Sequence, residues 1–172
     1  YGQMIPQEII DFPKYGCINV HGSLLPKLRG GAPIHWAIIN GEKTTGITVM
    51  SMSGKMDAGD IISQRSLEIG EDEILDSLYE RMSILGKELL LDTIPSIIDG
   101  TAKHFPQNES EVTFGLNVRK EEEKIDPSAA KPDDTIRSAG YKNNGGNISG
   151  FDLGQDISIE CNDCGNMCYY LS

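Results

Sequence analysis

Apolar residues fall in short runs along this chain, and the spacing within those runs switches between helical and alternating. Ile5 to Phe12 reads as a short helix opened by Pro6. Gly16 to Val20 is mostly apolar, the pattern of a strand whose two faces are both covered by helices. Ala32 to Asn40 places Ile34, Ile38 and Ile39 near helical spacing and stops before Gly41, a residue suited to a left-handed cap. Thr45 to Met52, TGITVMSM, is β-branched and alternating, and Asp60 to Ile69 is a second extended run after the turn SGKMDAG. From Glu73 to Ile98 the residues Ile74, Leu78, Met82, Leu85, Leu89 and Ile97 recur at helical spacing. They predict a long helix that seals one face of a sheet and is kinked or ended at Pro95.

Strand, glycine-rich loop and helix in that order make an α/β unit, and the continuous apolar strand predicts a mostly parallel sheet. After Glu111 the pattern thins to one short strand, VTF, followed by RKEEEK at Arg119 to Lys124, which reads as a solvated helical turn. Past Asp126 the character changes. PSAAKPDD and KNNGGNISG are small, polar and rich in Gly, Asn and Pro, with no apolar periodicity to offset the entropy of ordering. A boundary at Pro127 is therefore expected, with residues 1–126 the folded unit and residues 127–172 an irregular, low-complexity tail.

Composition narrows the function classes. The 172 residues suffice for one domain with a core. They carry 26 acidic against 15 basic side chains, a net charge of -11. Residues 1–126 hold 20 acidic and 12 basic residues, and the tail holds 6 and 3, so neither part is a polyanion binder by charge alone. No apolar run approaches the roughly 20 residues that span a bilayer, and the start YGQMIPQEII lacks signal-peptide features, so a cytoplasmic protein is expected. Of four cysteines, Cys17 stands alone in the apolar strand and Cys161, Cys164 and Cys168 crowd the tail. The Cys161-x-x-Cys164 spacing suits zinc, but a fourth ligand would have to be Asp163, Glu160 or another chain's group, so free thiols and no metal are expected.

The chemistry concentrates in INVHGSLLP. Asn19 and His21, two residues apart, project to one side of a strand end, where open α/β sheets bind ligands, and Asp57 lies in the turn between two later strands. A carboxamide, an imidazole and a carboxylate converging on one strand end are a candidate catalytic trio. His35 and His104 read as ordinary structural histidines, and Trp36 reads as core. Gly30 and Gly31 suit either a close backbone approach to a ligand or the turn itself.

NVHGSLLPKLRGGAPIHWAIINGEKTTGITVM followed by MDAGDII resembles the folate-dependent formyltransferases, and within them the branch that acts on methionyl-tRNA. The likeness runs from Tyr1 to about Asp126. It rests on NxH, the SLLP loop, the RGxAP helix start and the DAGD aspartate, all in the family's order and spacing. The resemblance implies a Rossmann-like fold and transfer of a formyl group from 10-formyltetrahydrofolate to the α-amino group of methionine on initiator tRNA, a step of translation initiation. It implies that Asn19, His21 and Asp57 are catalytic and that Ser23, Leu24, Leu25 and Pro26 bind the folate; a monomer is expected. Such chemistry needs a donor at the developing oxyanion and a route for a proton, which these side-chain types supply.

In the family, further Rossmann-like strands precede the position of Tyr1, and a tRNA-binding β-barrel follows the stretch matching KID. The expectation is thus an N-terminally truncated catalytic domain without its tRNA-binding half. Two other functions compete: a sugar-nucleotide N-formyltransferase, which shares NxH, SLLPK and DAG, and an inactive fragment or fusion product acting as a binding module. The segment EVTFGLNVRKEEEKID favours the tRNA branch.

Overall fold

A computed structural model describes residues 5–118, together with the backbone of residues 159–161 and 167–169. Helix α1, Gln7–Ile10, leads into strand β1, Ile18–His21, and the Ser23–Leu28 loop carries the chain to α2, Pro33–Ile39. Strands β2, Thr44–Ser51, and β3, Ile61–Glu68, form a hairpin, and α3, Leu75–Ile98, follows. Two short strands, β4 at Ile159–Cys161 and β5 at Met167–Tyr169, complete a sheet of order β3-β2-β1-β5-β4.

The helical expectations hold with tighter bounds. Proline opens α2 at its first position, where its missing N–H costs nothing, and Gly41 past its end has φ 66°. Pro95 lies in the last turn of α3 without ending it before Ile98. The core stripe of α3 is right at Leu78, Met82 and Leu89, which are buried, with Leu85 and Ile97 packed against the core. Ile74 is the exception. It is the residue before the helix starts, so it is off the helical face, and it is exposed.

Two expectations fail. The sheet is not mostly parallel: β1 runs antiparallel to β2 and to β5, and β2 antiparallel to β3 and β5 to β4. The loop and α2 return the chain to the end of the sheet from which it left, so β2 runs back along β1 instead of crossing over. VTF, at Val112 to Phe114, forms no strand. Thr113 O accepts from Arg29 N at 2.9 Å, and Arg29 O accepts from Gly115 N at 2.7 Å, so these residues strap the loop before α2. RKEEEK and the tail cysteine side chains lie outside the described residues.

The core sets the direction of the site. Gly86 of α3 lies beside Val20 of β1 and Ile47 of β2, where an added Cβ would come within 3.4 Å of Val20. That face of the sheet takes the helix. Alternation then turns Asn19 and His21 of β1, and Thr48 of β2, to the other face. A bulge between Val49 and Met50 ends the regular β2–β3 register next to the turn that carries Asp57.

Candidate active site

His21, the last residue of β1, has no exposed surface. Its Nε2 lies 2.9 Å from Leu28 O. A carbonyl can only accept, so Nε2 carries a hydrogen and the neutral ring leaves its lone pair on Nδ1. Nδ1 has no hydrogen-bond partner among the described residues and lies 3.8 Å from Asp57 Oδ1. That separation is a charge contact and too long for a direct hydrogen bond.

Asp57 reaches this place through an uncommon backbone. Its φ is 47°, the left-handed region that aspartate tolerates better than most residues. Oδ2 accepts from Gly30 N at 2.8 Å, which turns Oδ1 toward the ring. Gly30 itself has φ 120°, and a Cβ there would meet Gly115 O at 2.8 Å. Turn geometry and the crowding strap account for this glycine.

Asn19 is buried on the same face, and its Oδ1 has no partner among the described residues. A buried carboxamide oxygen and a buried ring nitrogen without partners are costly unless something polar comes to them. Asn19 thus lies on the face of β1 that carries His21, and Asp57 is the group facing the ring.

The Ser23–Pro26 loop is pinned by groups the sequence did not single out. Thr48, opposite His21 in the ladder, donates its hydroxyl to Ser23 O at 2.6 Å and accepts from Leu25 N at 3.1 Å. Gln64, opposite Thr48 on β3, donates to Thr48 Oγ1 at 2.8 Å and to Leu25 O at 2.9 Å. Ser23 Oγ donates to Lys27 O at 2.6 Å. Ser23 and Leu25 are buried by this network, whereas Leu24 and Pro26 keep accessible apolar surface. An exact β register was the only signal for Thr48 and Gln64.

Arg29 is the other overlooked residue. It is 5% exposed, binds Gln107 Oε1 through Nε at 3.0 Å and Nη2 at 2.8 Å, and pairs with Glu109 at 2.8 Å. The guanidinium hydrogen bond to Glu109 holds that carboxyl below its ordinary range. At the opposite end of β1 a groove of about 660 Å³ is lined by Cys17, Ser51 and His104 among others, with none of the trio. Burial, and then Asp11, pushes the Cys17 thiol up, so it is no ready nucleophile. His104 Nδ1 and Ser51 Oγ are 2.9 Å apart. No group of metal-ligating side chains occurs among the described residues, and no described helix is long and apolar enough to cross a membrane.

A family model described as formyl transferase matches residues 1–94. The chain belongs to the formyl transferase family. Among curated relatives of that family, the methionyl-tRNA formyltransferase of Lysinibacillus sphaericus is 54% identical over 126 residues, and that of Bacillus cereus 55%. Those 126 residues are 73% of this chain and 40% of each relative. The chain thus spans well under half the length of the relatives it matches.

Formyl transferases of known structure share the fold. The N-formyltransferase of Helicobacter canadensis, solved with folinic acid and dTDP-3-aminofucose, superposes with a TM-score of 0.71 at 19% identity, covering 99% of this chain and 71% of that one. The formyltransferase PseJ of Anoxybacillus kamchatkensis, solved with tetrahydrofolate and a UDP-linked formamido sugar, gives 0.63 at 25% identity, covering 81% and 74%. The α/β formyltransferase fold expected from the resemblance is confirmed.

Proposed function

We propose that this chain carries the reacting site of a folate-dependent formyltransferase, and that Asn19, His21 and Asp57 surround the formyl carbon as it passes from 10-formyltetrahydrofolate to an amine. The observation that carries the reading is the His21 Nδ1, buried and without a hydrogen-bond partner, 3.8 Å from the Asp57 carboxylate on the face that also holds Asn19. The two orphaned polar atoms fit a substrate that brings its own donors and acceptors. In the transfer, the amine nitrogen bonds to the formyl carbon, the bond from that carbon to the folate nitrogen breaks, and a proton leaves the amine and reaches the departing nitrogen. The Asn19 carboxamide offers an acceptor to an amine N–H and a donor to the oxyanion. His21 holds or gives the proton at Nδ1, because Nε2 is engaged by Leu28. Asp57 stabilises the ring when it is charged.

The half-buried Leu24 and Pro26 give the folate apolar contact, while Ser23 and Leu25 shape the loop from within. The acceptor we propose is the α-amino group of methionyl initiator tRNA, on the strength of relatives 54–55% identical, against 25% or less for the sugar enzymes named above. A tRNA acceptor puts the reaction in the cytoplasm. All three residues come from one chain, which favours a monomer, and 127–172 is read as a tail whose strand β5 pairs with β1.

The test offers the chain 10-formyltetrahydrofolate with either methionyl initiator tRNA or a dTDP-linked amino sugar, and follows labelled formyl. Label on the tRNA is expected. Label on the sugar alone would overturn the acceptor, and label on neither, with no folate bound, would overturn the site.

A further inference from the structure

Asp57 meets both Gly30 and His21 with its carboxylate from a left-handed backbone, a conformation that L side chains adopt only when their surroundings hold it. Something outside the turn has to hold it. Gln107 sits in the strap more than forty residues downstream, half-buried. Its Nε2 donates to Asp57 O at 2.8 Å and to Gly59 O at 2.7 Å. Its Oε1 accepts twice from Arg29, at 3.0 and 2.8 Å. Both amide hydrogens and both lone pairs are thus engaged, the full capacity of a glutamine side chain. Arg29 precedes Gly30, whose N–H binds the Asp57 carboxylate. One side chain therefore ties the backbone of Asp57 to the loop that grips its carboxylate.

We propose that Gln107 is a positioning residue for the reaction, setting the distance between the Asp57 carboxylate and His21 Nδ1. The proposal deepens the formyl-transfer reading of this site and rests on it for its functional meaning. Asparagine is one methylene too short to reach both sides, and methionine fills the space without donating.

The experiment records imidazole nitrogen resonances of His21 by NMR in the full chain, which needs no turnover. Asp57→Asn moves the Nδ1 resonance by taking the facing charge away. Gln107→Met is expected to move it in the same direction, and to add nothing when combined with Asp57→Asn, because it acts through that carboxylate. An unmoved Nδ1 resonance in a folded Gln107→Met chain overturns the proposal, as does an equal movement in both Asp57 backgrounds. Should the variant not fold, the native chain decides: the two Gln107 side-chain amide protons are expected as separate, slowly exchanging signals with contacts to the Asp57–Gly59 turn. Averaged, rapidly exchanging protons would overturn the proposal. A chain that shows these couplings and transfers no formyl group refutes the formyl-transfer reading and leaves Gln107 as the residue that places Asp57.

Discussion

With Nε2 bound to Leu28 O at 2.9 Å, His21 can exchange a proton only at Nδ1, and that atom faces Asp57. His21→Ala should therefore lower formyl transfer by about 10²–10⁴-fold while folate binding persists, because the Ser23–Pro26 loop is held by Thr48 and Gln64. Asp57→Asn is the more selective variant. Asparagine tolerates the left-handed backbone and its side-chain oxygen can still accept from Gly30, so the thermal midpoint should stay close to that of the native chain while turnover falls. Turnover equal to the native rate in either variant would take that residue out of the reaction. Asn19 and His21 stood out in the sequence because polar side chains at an apolar strand end are uncommon, and Asp57 because it is a carboxylate in the turn between two strands. The sequence could not expose Gln107, an unremarkable polar residue between Pro106 and Asn108, since its meaning lies in a contact fifty residues away.

At the scale of elements, the row His21, Thr48 and Gln64 across three strands converts β register into the shape of the loop. Thr48→Val keeps the β-branched shape and removes the hydroxyl, leaving Ser23 O, Leu25 N and part of Gln64 unsatisfied in the interior. A loss of about 2 kcal/mol in denaturant unfolding is expected, with folate affinity falling alongside. Stability unchanged in that variant would mean water replaces the hydroxyl.

The start of α3 carries a pH dependence. Burial, the largest single influence, pushes the Glu73 carboxyl up, but the bonds from Arg81, Gly70 N and Ser77 together hold it below its ordinary range. A depressed carboxylate adds stability above its unfolded value and loses it as pH falls through the folded one. Amide exchange in the first turn of α3 should accelerate in that acid range and not near neutrality, and Glu73→Gln should flatten the response. The effect is expected to be well under about 1 kcal/mol, because Arg81 is solvent-exposed.

At the scale of the molecule, a net charge of -11 works against a polyanionic acceptor. If tRNA is the substrate, phosphate contacts have to come from outside these residues, so the chain alone should bind tRNA weakly. Band-shift titration at physiological salt should give little complex, and any complex should show a shallow dependence on salt. Tight binding with a steep salt slope would mean that basic residues gather on one face despite the overall charge.

Helix positions, the β2–β3 hairpin and the approach of Asp57 to His21 could all be anticipated from the chain, because periodicity, proline and glycine placement and buried polarity are local signals. Strand direction could not. A buried apolar run such as that of β1 is compatible with parallel or antiparallel neighbours, and only the path of the loop and α2 decides which. The same holds for the strap from Phe105 to Gly115, which bonds to Ile61 at one end and to Arg29 and Ala32 at the other with no pattern of its own to announce it. What the residues determined alone was which groups are available for chemistry and which stretches form helix or strand. The distances among those groups, the ring nitrogen left to act and the left-handed turn of Asp57 arise from contacts between segments far apart in the chain, and those exist only once the tertiary structure forms.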